Sequence, residues 1–251
     1  MSGVSGADAP GVADANDGRP RLLDLFCCAG GAAMGYHRAG FEVVGVDINP
    51  QPNYPFGFIR ADALAHLGNM MEAGLMDTID AIHASPPCQS FTKYQNTGNV
   101  GEYPDLVQPT RELLEASGLP WVMENVEGAP LIDPVLICGS MFDPPMDIRR
   151  HRLFETNWNL QPPAWPCRHK LQGPDRFPGG RSKERTGSSN GLARKTVEVG
   201  AWDIPFPRQQ EAMEMDWTTL RELSEAIPPA YTEHIGHQLL VEATAHMEAA
   251  A

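Results

Sequence analysis

Ile79-Asp80-Ala81-Ile82-His83-Ala84-Ser85-Pro86-Pro87-Cys88-Gln89 is the stretch on which the fold is decided. Ile79 to Ala84 is a short apolar run, which predicts a buried strand. The Pro-Pro pair and Gln89 then make a rigid loop, so Cys88 falls at the strand's carboxyl edge. Open α/β sheets bind their ligands at that edge. Thirty-six residues later, Trp121-Val122-Met123-Glu124-Asn125-Val126 predicts a second strand ending in a carboxylate. A nucleophile and a proton handler on two strand ends of one sheet point to covalent catalysis.

Working outward, Arg21-Leu22-Leu23-Asp24-Leu25-Phe26 predicts a strand, Cys27 to Gly31 a tight loop, and Ala32 to Ala39 a helix. Phe41 to Val46 predicts another strand, ended by Asp47. Helices are expected over Asp62 to Ala73 and around Leu106 to Ala116, and further strands over Val135 to Cys138 and Arg152 to Trp158. Strands alternating with helices predict an α/β fold with a doubly wound, mostly parallel sheet. Residues 159–207 are rich in Pro, Gly, Arg and Ser with little periodicity, as expected of a small irregular annex. Order is expected again at Arg208 to Trp217 and in a long helix from Ala230 to about Glu248. The expected organisation is a disordered leader over 1–20, a catalytic and cofactor-binding domain over 21–158, a basic recognition region over 159–207, and a C-terminal segment, 208–251, that returns to the catalytic domain.

A chain of 251 residues with 42% hydrophobic residues can bury a sizeable core. No apolar run reaches the roughly 18 residues of a membrane span, and the N-terminus lacks an export pattern, so a cytoplasmic protein of a bacterial or phage-infected cell is expected. Its five cysteines are odd in number and form no C-x-x-C pair; reduced thiols are expected. Cys167 and His169 could supply two zinc ligands, but no second pair has matching spacing, so no metal is expected. The net charge of −13 argues against nucleic acid, but its distribution does not. Between Arg149 and Lys195 lie 11 of the 19 basic residues and three acidic ones. Such a stretch is either a phosphate-backbone footprint or a solvated charged insertion.

Gly30 and Gly31 bring small residues to a helix N-terminus, and Asp47 follows at the end of the second strand, an arrangement suited to a nucleotide-like ligand. Simple turn geometry would also account for the glycines. No phosphate-binding G-x-x-x-x-G-K-[ST] loop exists, which disfavours nucleoside triphosphate hydrolysis.

Asp24-Leu25-Phe26-Cys27-Cys28-Ala29-Gly30-Gly31, Pro86-Pro87-Cys88-Gln89, Glu124-Asn125-Val126 and Arg150-His151-Arg152 occur in this order. The series resembles the DNA (cytosine-5)-methyltransferases, over roughly Arg21 to Phe154 and weakly over Arg208 to Gly236, and within them the compact, phage-like or actinobacterial members. The resemblance implies S-adenosylmethionine as cofactor. Phe26, Cys28, Gly30 and Gly31 would wrap it, Asp47 would bond its ribose, and Ile48 would pack on its adenine. Asp62 with Ala63 would meet the adenine amino group, and Pro86 would wall the pocket. Cys88 would add to cytosine C6, Glu124 would share a proton with N3, and Arg150 and Arg152 would lie at the base's O2 and near the cysteine. The base must be flipped out of duplex DNA. Gln89, Ser90, Arg168, Lys170, Arg176, Arg181, Lys183 and Arg185 would contact that DNA.

Three departures from the family pattern stand out. Cys28 replaces a glycine, Ile148 replaces a glutamine, and Glu225 stands where an asparagine is usual. They keep other readings open: a carboxylated analogue of the cofactor, tRNA in place of DNA, or a DNA-binding module with an impaired cofactor site. A monomer is expected, with a restriction endonuclease as a possible partner.

Overall fold

The computed structural model describes residues 18–88, 91, 105–168, 173–174 and 195–250. Alternation along β1 (Arg21–Leu25) sets the layers. Leu22 enters one core cluster, and Leu23 and Leu25 enter the other, on opposite faces of the sheet. β1 is the middle of the parallel part, pairing with β2 (Glu42–Asp47) on one side and β4 (Ala81–Ala84) on the other. β3 (Gly57–Arg60) adds outside β2, and β5 (Trp121–Asn125) adds beside β4. β7 (Arg152–Thr156) then runs antiparallel between β5 and β6 (Val135–Ile137). The seven-stranded order is β3-β2-β1-β4-β5-β7-β6. The chain leaves β1 toward one edge and later returns to β4 on the other side, so the crevice expected to hold a ligand opens between those two strands.

α1 (Gly31–Ala39) and α6 (Pro229–Ala250) cover one face, and α2 (Ala63–Glu72) and α3 (Val107–Ser117) the other. α1 and α6 pack closely because Gly35 has no side chain; a Cβ there would collide with the Pro229 carbonyl. Thr232 donates to the Ala32 carbonyl at 2.9 Å and ties the two helices at this contact. On the opposite face, Arg111 of α3 forms a buried bidentate pair with Glu155 of β7, at 2.6 and 2.8 Å.

Two small elements escape the sequence pattern. β3 is mostly exposed, so it has no apolar alternation to reveal it. α5 (Leu220–Glu225) is held by a reciprocal capping box between Thr219 and Glu222. The helix expected at Arg208–Trp217 is α4 (Phe206–Met213), which starts earlier and is stopped by Glu214 in the left-handed region. Part of the segment expected to be irregular belongs to the core: Leu160, Val197 and Ile204 are buried. β8 (Gly173–Pro174) and β9 (Lys195–Thr196) form a separate small pair.

Candidate active site

β4 and β5 deliver the reactive residues. Ser85, Pro86, Pro87 and Cys88 leave the carboxyl end of β4, while Glu124 and Asn125 close β5. Asn125 is 1% exposed and donates through Nδ2 to the Pro86 carbonyl at 3.0 Å. Its Oδ1 accepts from the Val126 N–H. One asparagine thereby fixes the cysteine loop to the strand that carries the acid.

Glu124 is buried, and Arg152 Nε lies 2.9 Å from its Oε1. Burial pushes the Glu124 carboxyl above its ordinary range, against the pull of Arg152 and of a hydrogen bond from Ser85. Ser85 Oγ in turn lies 2.8 Å from His83 Nε2, and His83 Nδ1 lies 2.9 Å from the Tyr36 hydroxyl. His83 is fully buried and held neutral, its pKa lowered to about 3 by desolvation. With Ser85 donating to Glu124, Nε2 must carry the imidazole proton and Nδ1 must accept from Tyr36. The four residues form one directional chain ending on the carboxylate.

Burial also raises the Cys88 thiol, as do Glu124 and Glu225, whereas Arg152 lowers it. The free thiol is therefore mostly protonated near neutrality. Arg150 precedes β7, which Arg152 opens. Its Nη2 donates to the Ser224 carbonyl at 2.5 Å, and its own carbonyl accepts from Tyr231 at 2.6 Å. Burial, and then Arg152, lower its pKa to about 9. Among the described residues its buried Nε has no hydrogen-bond partner, which is costly unless an acceptor arrives.

The loop after β1 is held in left-handed turns at Phe26 (φ 59°), Cys28 (φ 45°) and Gly30 (φ 80°). Asp47 at the end of β2 anchors it, accepting from the Cys28 N–H at 3.1 Å and from the Asn49 N–H at 2.8 Å. Gly31 is needed for packing, since a Cβ there would meet the Ile227 carbonyl. Trp217 adds a brace, donating to the Ala29 carbonyl at 2.9 Å. Ile48 is 61% exposed beside the buried Asp47. Asp62 caps α2 by accepting from the Ala65 N–H, and Ala63 is buried behind it. Glu225 is near enough to act electrostatically on both Cys28 and Cys88. Ile148, in place of the usual glutamine, is buried and bridges to Val197.

Arg168 stacks over Trp165 at 4.8 Å. Gln89, Ser90, Lys170, Arg176, Arg181, Lys183 and Arg185 lie outside the described residues. Sequence reasoning missed Tyr36, His83, Ser85 and Trp217. Asp24 was quoted only as part of a motif, yet it is buried on β1 directly beside His83 on β4. Polar residues at inward positions of apolar strands were the available signal. Cys138, His151 and Cys167, distant in sequence, bring their ligand atoms within 4.8 Å of one another.

A seven-stranded α/β sheet of this order, with a loop cysteine, an acid and two arginines gathered at one edge, is of the methyltransferase type. The sequence profile of the C-5 cytosine-specific DNA methylases matches residues 21–131. The Type II methyltransferase M.HgiGI of Herpetosiphon aurantiacus is 33% identical over 122 residues, which span 44% of this chain and 94% of that protein. The chain belongs to the C-5 cytosine-specific DNA methylase family and is a DNA cytosine methyltransferase. Its fold is also that of a crystallised protein described as a DNA modification methyltransferase encoded within an E. coli prophage. The two are 14% identical with a TM-score of 0.60, over 90% of this chain and 99% of the other. Among the described residues, no helix is long and apolar enough to cross a membrane.

Proposed function

We propose that the protein methylates C5 of a cytosine flipped out of double-stranded DNA, through a transient bond from Cys88 Sγ to C6, with S-adenosylmethionine as the methyl donor. The observation that carries this reading is the convergence of Cys88, Glu124 and Arg152: Arg152 Nε lies 2.9 Å from Glu124 Oε1, and the two act in opposite directions on the Cys88 thiol. The residues after β1 and β2 fit the cofactor. A buried carboxylate, Asp47, stands beside an exposed apolar side chain, Ile48, next to a loop that needs left-handed turns. These are the features a ribose and a flat base would engage. Carboxylates surround Cys28, which favours the ordinary cofactor over one bearing an extra carboxylate.

When bound, S-adenosylmethionine supplies an electrophilic methyl group to C5. Cys88 loses its proton and adds to C6, which makes C5 electron-rich. Glu124, whose carboxyl burial raises above its ordinary range, shares a proton with N3 and offsets the charge that builds on the ring. Arg150 Nε has a free donor for the base's O2, and Arg152 holds Glu124 in place while favouring the thiolate. Loss of the C5 proton to water then lets Cys88 Sγ leave. The basic region within 159–207, including Arg168, would hold the duplex. A monomer suffices, since one chain carries every group named.

Nucleoside mass spectrometry on plasmid DNA from cells expressing the protein tests this reading, beside a Cys88→Ala control. 5-Methylcytosine is expected with the wild type and not with the variant. Unmodified DNA from folded wild-type protein would overturn it.

A further inference from the structure

We propose that Cys138, His151 and Cys167 bind one zinc ion, which pins the start of the basic region to the strands that carry the catalytic groups. The three residues come from three places. Cys138 follows β6, His151 stands between Arg150 and Arg152 just before β7, and Cys167 lies on the segment leading into the basic region. Their ligand atoms lie within 4.8 Å of one another, and His151 Nε2 is 3.4 Å from Cys167 Sγ. A tetrahedral zinc with ordinary bond lengths sets a sulfur–nitrogen edge of about 3.6 Å. Two thiolates and an imidazole are soft, zinc-selecting donors, and they leave one tetrahedral position for a further ligand.

The surroundings are those of a metal site. His151 Nδ1 lies 2.9 Å from Glu127 Oε2, so the carboxylate fixes the proton on Nδ1 and directs the Nε2 lone pair at the two sulfurs. Metal-ligating histidines are generally oriented in this way. Ser140 Oγ accepts from the Arg168 N–H at 2.9 Å, which turns its own hydroxyl proton toward sulfur. It lies 3.4 Å from Cys138 Sγ and 3.6 Å from Cys167 Sγ. Donors to sulfur stabilise thiolates, the form a metal requires. Neither Cys138 nor Cys167 is in a disulfide among the described residues, so zinc would displace two thiol protons and change no oxidation state.

The ion would link two parts of the catalytic machinery. Glu127 is three residues beyond Glu124, and His151 separates the two arginines. The inference goes beyond the methyl-transfer reading and stands whether or not that reading does.

The test is metal analysis of the full-length protein, purified under reducing conditions without chelator, followed by exchange with cobalt(II). About one zinc per chain is expected, together with the intense thiolate-to-cobalt absorption of a tetrahedral site. Cys138→Ser, Cys167→Ser and His151→Ala should each lower metal content at least about tenfold, while Cys28→Gly should keep it. The wild-type cobalt spectrum decides the matter even if a variant does not fold. Wild-type protein that takes up neither metal, cobalt spectra without thiolate absorption, or full zinc retention in a folded Cys138→Ser/Cys167→Ser double variant would overturn the proposal.

Discussion

Asn125 donates to the Pro86 carbonyl across 3.0 Å, and through this bond the strand bearing Glu124 sets the position of the loop bearing Cys88. Cys88 and Glu124 are therefore placed by one contact between neighbouring strand ends. Asn125→Ala leaves a buried carbonyl without its donor, at a cost of about 1–3 kcal/mol in stability. It also frees the loop by a fraction of an ångström or more, which should lower kcat by about tenfold to a hundredfold. Steady-state kinetics on folded variant protein checks this; kcat within a factor of two of wild type would show that the loop positions itself.

Ser85 donates to Glu124 and so favours its charged form. Ser85→Ala removes that donor and should raise the Glu124 pKa further. If Glu124 works protonated, activity falls on the alkaline side as it ionises. That limb of the kcat/KM profile should then move to higher pH in the variant. An unmoved limb, or one moved to lower pH, would separate Glu124 from the His83–Ser85 chain.

Asp24 is 1% exposed and accepts a long hydrogen bond from Tyr54 at 3.4 Å, and burial raises its pKa to about 8. A raised carboxyl contributes stability that is fully present below its ordinary value of 3.8 and is lost as pH rises toward about 8. His83 has the opposite sign, its contribution being present above 6.5 and lost as pH falls toward about 3. Between pH 6.5 and 8 the His83 contribution is constant, so the Asp24 loss is exposed. Wild-type Tm should fall across that window, and Asp24→Asn should flatten the fall. Parallel Tm curves for the two proteins would contradict the assignment.

Cys28 holds φ 45°, in the left-handed region that glycine occupies without strain. Cys28→Gly should therefore stabilise the protein by about 1 kcal/mol. By easing the loop it should also tighten S-adenosylmethionine binding, read by calorimetry. A destabilised variant would mean that the cysteine side chain contributes more than its backbone costs.

The parallel core of this fold was legible because β1, β2, β4 and β5 are short, mostly apolar runs, and Gly and Pro lie near their ends. β3 was hidden because it is a short, exposed edge strand. α5 could have been found from Thr219-Leu220-Arg221-Glu222, a capping-box pattern passed over in favour of the longer helices. Cys88 and Glu124 were legible as motif residues at strand ends. The chain from Tyr36 through His83 to Ser85 was not, because it depends on which positions of α1 and β4 face each other across the sheet. Cys138, His151 and Cys167 were missed for a similar reason: sequence spacing cannot show that β6 and β7 are neighbours.

In the proposed reaction Cys88 Sγ bonds to C6 of the target cytosine. Fluorine at C5 cannot leave as a proton does, so the thiolate that adds to such a base cannot depart after methyl transfer. Duplex DNA carrying 5-fluorocytosine should, with S-adenosylmethionine, form a protein–DNA species that survives denaturing electrophoresis. Peptide mass spectrometry should place the link at Cys88. Cys88→Ala should give no such species. Methylation of ordinary cytosine DNA by the Cys88→Ala protein, or a trapped complex linked through another residue, would contradict the account.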